Sequence, residues 1–219
     1  MKDLENVKTI IFDYDGTLHD SSKIYIPAFM KAYDYLVDHD KAPEKKFQDN
    51  EITQWLGYSK KAMWELFMPN LEEPYKTDAS TIIGQTMVEK ISRREAYLYP
   101  NAIDTLAYLK EKYTLIFLSN CSIDYMESHA DMFNLKEYFT AMYCTEMYEF
   151  KKSKKEIVAG LKDKYPADYV VVGDRHQDLK VGELDATYAI GCSYGFGQAE
   201  ELKQADILIE DISELEKYL

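Results

Sequence analysis

The 219-residue chain has little of what secreted, membrane-bound or nucleic-acid-binding proteins depend on. Its three cysteines, Cys121, Cys144 and Cys192, are an odd number with no Cys-x-x-Cys spacing. That pattern argues against a disulfide framework and a zinc site, and suits reduced thiols. No apolar run approaches the ~18 residues that span a bilayer. The opening MKDLENVKTIIFDYDG carries charges where a signal peptide needs its apolar stretch. The expectation is a cytoplasmic chain with no membrane partner. Basic residues are also scarce, 26 against 39 acidic for a net charge of −13, so the surface should repel nucleic acid and anionic lipid. An anionic substrate would then need a metal or a local basic pocket. The four histidines, His19, His39, His129 and His176, show no ligand spacing, which argues against a histidine-bound transition metal. There is no repeat, low-complexity tract or Gly/Ser linker. What remains, 46% hydrophobic residues in one chain of ordinary length, predicts a globular protein with a real core.

Short apolar runs lie at 7–12 (VKTIIF), 113–118 (YTLIFL), 139–144 (FTAMYC), 168–172 (DYVVV), 187–192 (TYAIGC) and 206–209 (DILI). Apolar at nearly every position, they read as strands buried on both faces. Helical patterns fall between them at 101–112, 122–133, 153–164, 176–185 and 198–204. Such alternation predicts a three-layer α/β/α domain on a Rossmann-like parallel sheet. Residues 20–97 contain no convincing strand and offer helices at about 22–39, 44–55, 59–68 and 78–96. Pro27 is tolerable in a first turn, and Pro43, Pro69 and Pro74 punctuate the gaps. The division expected is an α/β core of 1–18 and 98–219, with an α-helical block inserted over 19–97.

Four strand ends carry chemistry. Asp13-Tyr14-Asp15-Gly16-Thr17 closes the first strand, and alternation sends Asp13 and Asp15 beyond it on one face. Two carboxylates so close call for a divalent cation or a shared proton. Gly16 permits a sharp turn that brings backbone N–H groups close to a ligand. Ser119-Asn120 follows YTLIFL, where helix capping is the simpler explanation of each residue alone. Gly173-Asp174-Arg175-His176-Gln177-Asp178 follows DYVVV; Asp174 repeats the placement of Asp13, and Asp178 fits a first helical turn, where acids are favoured anyway. Lysines 151, 152, 154 and 155 follow the 139–144 strand, and one of them at the sheet edge could neutralise carboxylates and phosphate. Carboxyl ends of a parallel sheet share one edge, where ligands bind.

Taken in order, DYDGT, LSN, the lysine segment and GDRHQD resemble the four motifs of the haloacid dehalogenase (HAD) superfamily of phosphohydrolases. The helical insert before Tyr99-Pro100 is similar to the C1-type cap of the phosphoglycolate phosphatase and β-phosphoglucomutase branch. YGFGQAEELKQADILIEDISEL looks like the C-terminus of phosphoglycolate-phosphatase-like members. The resemblance implies Asp13 as nucleophile and Asp15 as general acid and base, with Mg²⁺ held by Asp13, the Asp15 backbone carbonyl and Asp174. It implies Ser119 and a lysine on the phosphate oxygens, with Gly16, Thr17 and Asn120 adding donors, and Asp178 orienting a ligand or the lysine. Members often carry Lys-Pro where this chain has Lys151-Lys152; Lys151 is the first choice on register, ahead of Lys152 and Lys154. Dehalogenating members lack the second aspartate, so Asp15 argues against carbon–halogen chemistry. Substrate choice would lie in the cap, where Lys60 in Gly57-Tyr58-Ser59-Lys60 could meet a substrate carboxylate or hydroxyl, though an exposed helix-start lysine is the plainer account. Arg175 could reach the cleft mouth. The implied activity is Mg²⁺-dependent hydrolysis of a small phosphorylated metabolite, phosphoglycolate-like or a sugar phosphate. A phosphosugar mutase is the enzyme alternative; a phosphoaspartate receiver or an inactive binding module are the non-enzyme ones.

Overall fold

The computed structural model describes residues 4–219. In chain order the elements are β1 (Thr9–Phe12), α1 (Ser22–Asp38), α2 (Asp49–Thr53), α3 (Lys60–Phe67), α4 (Glu73–Ser92), α5 (Ala102–Lys110), β2 (Thr114–Ser119), α6 (Ile123–Phe133), β3 (Ala141–Cys144), α7 (Lys154–Leu161), β4 (Tyr169–Gly173), α8 (His176–Leu179), β5 (Thr187–Cys192), α9 (Ala199–Leu202) and β6 (Ile207–Ile209). The chain divides into two compact units, Met1–Asp20 with Leu98–Leu219, and Ser21–Tyr97.

In the first unit, six strands form one sheet in the order β3-β2-β1-β4-β5-β6, and every pairing is parallel. A parallel sheet flanked by helices buries both faces of its strands, which is why the apolar runs are continuous. β1 and β4 are buried at every position. Ile11, Ile116, Leu118, Val171 and Ala189 share one core cluster with Ile157 and Val158 of α7. Phe12 lies level with Phe117 of β2 on one side and Val172 of β4 on the other. The carboxyl ends of β2, β1 and β4 therefore reach the same rim. The chain leaves β1 toward β2 and β3, then returns to β4 on the other side of β1, the switch point at which open α/β sheets place their ligands.

The second unit holds the four helices α1 to α4. Ile24, Tyr25, Ala28, Phe29, Ala32, Tyr33 and Leu36 form the buried stripe of α1. Phe29 meets the Phe47 ring edge-on at 5.4 Å and the Phe67 ring at 5.3 Å. The Trp64 indole N–H donates to Ser80 Oγ at 2.7 Å, as a buried indole requires. Among the described residues, no helix is long and apolar enough to cross a membrane.

Several expectations about the helices need correction. The helix expected over 44–55 is confined to Asp49–Thr53. α4 begins at Glu73 rather than 78, because Pro74 sits in its first turn, where a missing N–H costs nothing. Pro27 is the sixth residue of α1, beyond the first turn, so its ring interrupts the ladder inside a continuous helix. The helix expected over 176–185 stops as α8 at Leu179 and continues as a 3-10 turn over Lys180–Glu183. Gly182 lets that turn pack closely on β5, since a Cβ there would stand 2.8 Å from the Ala189 Cβ.

Candidate active site

Asp13 extends β1 by one residue, its N–H donating to the Val172 carbonyl at 2.9 Å, and its side chain is buried. The chain then turns back within six residues. The Tyr14 carbonyl accepts from the N–H groups of Thr17, Leu18 and His19 at 3.2, 2.9 and 2.9 Å, and Gly16 N–H donates to the His19 carbonyl at 2.9 Å. Gly16 adopts φ +85°, and a Cβ on it would lie 2.3 Å from Asp174 Oδ2. Only glycine satisfies both the backbone angle and the close approach.

Across the rim, Asp174 follows β4 directly and is fully buried. Its Oδ2 accepts from Phe196 N–H at 2.6 Å, while its Oδ1 is buried with no partner among the described residues. Asp178, in the first turn of α8, accepts from Arg175 N–H at 3.0 Å through Oδ2. Lys154 is the first residue of α7, held there by Ser153: the Ser153 hydroxyl accepts from Glu156 N–H, and the Glu156 carboxylate accepts from Ser153 N–H at 2.8 Å. The buried Lys154 ammonium donates to Asp13 Oδ1 at 2.5 Å and to Asp178 Oδ1 at 2.6 Å.

One ammonium thus faces three buried carboxylates, and the charge does not balance. Burial, then the Asp178 charge, drives the Asp13 pKa well above its ordinary value, against the pull of Lys154. Burial and Asp178 raise Asp174 to about 7. Burial alone would lower Lys154, but Asp13 and Asp178 hold it above the usual lysine range. Asp15 behaves differently. Burial pushes it up, yet His19, His129 and Tyr125 more than offset this and leave it below the ordinary carboxyl value.

A family model for haloacid dehalogenase-like hydrolases matches residues 7–184. The chain belongs to that family. It is 22% identical over 245 aligned positions to the phosphoglycolate phosphatase of Escherichia coli strain K12, covering 98% of this chain and 93% of the relative. The Photobacterium profundum phosphoglycolate phosphatase is 21% identical, covering 98% and 96%. Among solved structures, a haloacid dehalogenase-like hydrolase from Streptococcus pneumoniae superposes with a TM-score of 0.78 at 22% identity, covering 97% of this chain and 98% of that one. CbbY from Rhodobacter sphaeroides in complex with phosphate gives 0.77 at 20% identity, covering 95% and 96%.

Within this hydrolase, several expected site residues stand elsewhere. Lys151, the first choice on register, is exposed and pairs with Glu149; Lys154 occupies the place beside Asp13. Lys152 lies over the Tyr148 ring, and Lys155 reaches Glu183 at 2.7 Å. Arg175 does not reach a cleft mouth: its side chain is buried, with Nε donating to Glu201 Oε2 at 3.0 Å. Gly16 and Thr17 use their N–H groups within the loop, while the Thr17 hydroxyl is buried without a partner among the described residues. Lys60 is exposed as the first residue of α3, behind the Ser59 cap, in the helical unit. Ser119 ends β2 and is buried, followed by Asn120 at the same rim.

Other residues were not anticipated. Phe196 N–H sits between Gly195 and Gly197, and a Cβ on Gly197 would fall 1.8 Å from the Asp174 carbonyl, so the two glycines let this loop pack onto Asp174. The glycine spacing of YGFG was the available signal. His19 and Tyr125, both bonded to Asp15, gave none, because neither stands in a periodic pattern.

Oxygen atoms of Asp13, Asp174 and Asp178 come within 4.8 Å of one another. An all-carboxylate donor set, an excess of buried negative charge and the unpartnered Asp174 Oδ1 fit a hard divalent cation of the Mg²⁺ kind. The raised pKa values make this testable by stability. Asp13 and Asp174 hold protons more tightly folded than unfolded, so metal-free stability is fullest below an ordinary carboxyl pKa and falls as pH rises through about 7. Asp15 and Glu201, whose values are depressed, titrate mostly below this window, while His129, pushed down to about 3 by burial and by His19, gains stability as pH rises to about 6.5 and offsets part of the fall of the two aspartates. Melting curves in chelator should therefore show Tm falling between about pH 5 and about pH 8, with Mg²⁺ restoring most at the upper end. An Mg²⁺ increment equal at both ends would contradict the fit.

Proposed function

We propose that this hydrolase is an Mg²⁺-dependent phosphomonoesterase for a small phosphorylated metabolite, working through an aspartyl-phosphate on Asp13. The observation that carries the reading is the buried pairing of Asp13 with Lys154, beside an Asp174 oxygen that lacks a partner. Phosphate monoesters resist attack because their charge repels nucleophiles, so positioning and neutralisation dominate their hydrolysis. Asp13 attacks phosphorus in line with the departing oxygen. Lys154 aims the Asp13 carboxylate through Oδ1 and offsets negative charge beside it. Asp15 gives a proton to the departing alkoxide, then takes one from the water that hydrolyses the intermediate. Ser119 and Asn120 hold non-bridging phosphate oxygens. Asp178 keeps Lys154 in place. Asp13, Asp174 and the Asp15 backbone carbonyl would hold Mg²⁺, which when bound supplies positive charge to the phosphoryl oxygens.

The names of these relatives, both phosphoglycolate phosphatases, support phosphatase activity and a phosphoglycolate-like substrate. A cytoplasmic setting agrees with the reduced cysteines and with free metabolites as partners. Turnover of an aryl phosphate with and without Mg²⁺ tests the activity, and Asp174→Asn tests the metal. The variant should need at least about tenfold more Mg²⁺ for half-maximal rate. An unchanged titration would remove Asp174 from the metal site. A stoichiometric phosphoprotein without sustained turnover would indicate a receiver, and no reaction at all an inactive module.

A further inference from the structure

Asp15 is gripped by side chains that phosphoryl transfer itself does not require. His19 Nδ1 donates to Asp15 Oδ1 at 2.9 Å, and the Tyr125 hydroxyl donates to the same oxygen at 2.8 Å. The Tyr125 hydroxyl also stands 3.4 Å from His19 Nδ1, so the three groups close a triangle. His19 Nε2 is buried with no partner among the described residues, while Nδ1 faces Asp15 Oδ1, an acceptor, and so is the nitrogen that donates. The imidazole cannot swing away. Tyr14 stacks on it at 5.1 Å with 14° between planes, and His129 meets it edge-on at 4.5 Å. His129 is fixed in turn by the Tyr14 hydroxyl, 2.5 Å from its Nδ1. The backbone adds the bonds that bind Gly16 and His19 into one loop.

We infer that His19 and Tyr125 are positioning residues that hold the Asp15 carboxylate by Oδ1 and present Oδ2 to the water that hydrolyses the aspartyl-phosphate. This rests on the reading of Asp15 as the acid–base residue. A carboxylate bound by one oxygen to two rigid donors has its other oxygen fixed in direction, and orientation of this kind is what a general base needs. Both contacts are donors, so they suit the ionised form, the one that accepts a proton from water. The clamp acts on the second half-reaction: the water oxygen bonds to phosphorus, its proton passes to Asp15 Oδ2, and the bond from phosphorus to Asp13 breaks to regenerate the carboxylate.

Rapid-quench kinetics with an aryl phosphate, whose leaving group needs little protonation, separates formation of the phosphoenzyme from its breakdown. Tyr125→Phe removes one oxygen atom, and His19→Leu removes the imidazole donor. In each, formation should stay within about twofold of wild type, while breakdown slows roughly 10- to 100-fold, as loss of a hydrogen bond to a charged group predicts. Phosphoenzyme then accumulates in the steady state. His19→Asn, whose amide can donate from near the Nδ1 position, should recover most of the breakdown rate. The inference is overturned if breakdown is unchanged, if formation and breakdown slow equally, or if His19→Asn is as slow as His19→Leu. Asp15→Ala separates the two layers of the argument. Wild-type breakdown in that variant would sink the role of Asp15 itself, whereas slow breakdown there with normal breakdown in the clamp variants would sink only the clamp.

Discussion

Asp13→Asn should abolish hydrolysis, lowering kcat by at least about 10⁴-fold, while the protein still folds. An amide has neither the charge nor the nucleophilicity to form the acyl-phosphate, and the neighbouring carboxylates are already engaged, Asp15 by His19 and Tyr125 and Asp178 by Lys154. The fold should not suffer, because the substitution is nearly isosteric and removes one of three carboxylates crowded around a single ammonium. Burial opposes the charged form of Asp13, so the metal-free variant should melt at or above the wild-type temperature near neutral pH. Steady-state assay with Mg²⁺ and a melting curve without it check both halves. Activity within a hundredfold of wild type would reject Asp13 as nucleophile.

The second large effect distinguishes the lysines. Lys154→Met keeps the length of the side chain and removes its charge, leaving Asp13 and Asp178 buried with no cation between them. Removing one partner of a buried ion pair costs about 3–5 kcal/mol. For a chain of this size that corresponds to a Tm lower by very roughly 6–20 °C. The loss should be smaller below about pH 5, where protonation of the carboxylates relieves the repulsion. Activity should fall by at least about 100-fold, because the nucleophile loses its orienting partner. Lys151→Met should do neither: its partner Glu149 is as exposed as it is, and such pairs contribute about 0–1 kcal/mol. An inactive Lys151 variant beside an active Lys154 variant would reverse the assignment.

The reason the sequence suggests the wrong lysine is local. Counting from the end of β3 along an extended chain favours Lys151. Instead Thr145–Tyr148 forms a 3-10 turn, and Glu149 and Phe150 both take left-handed conformations. These residues use up chain length and turn it, and the Ser153 capping box then fixes Lys154 as the first helical residue. Neither bulky left-handed residue announces itself in sequence, since both side chains disfavour that backbone. The strand-end acids were legible for the opposite reason. β1 and β4 are buried and uncharged at each position, so Asp13 and Asp174 stand out as the first charges after them. The parallel sheet was readable from the same runs. Helix limits were not, because they depend on contacts between distant elements. The His19 and Tyr125 donors escape pattern reading altogether: they are single polar residues whose burial follows from the loop and from the packing of α6.

The most direct test of the account is to quench the working enzyme in acid during turnover of a radiolabelled phosphoester and map the labelled peptide. The account predicts a label that survives acid, is released by hydroxylamine as acyl-phosphates are, and lies on Asp13. No trapped label under any quench time, or a label on Ser119 or a histidine, would contradict it.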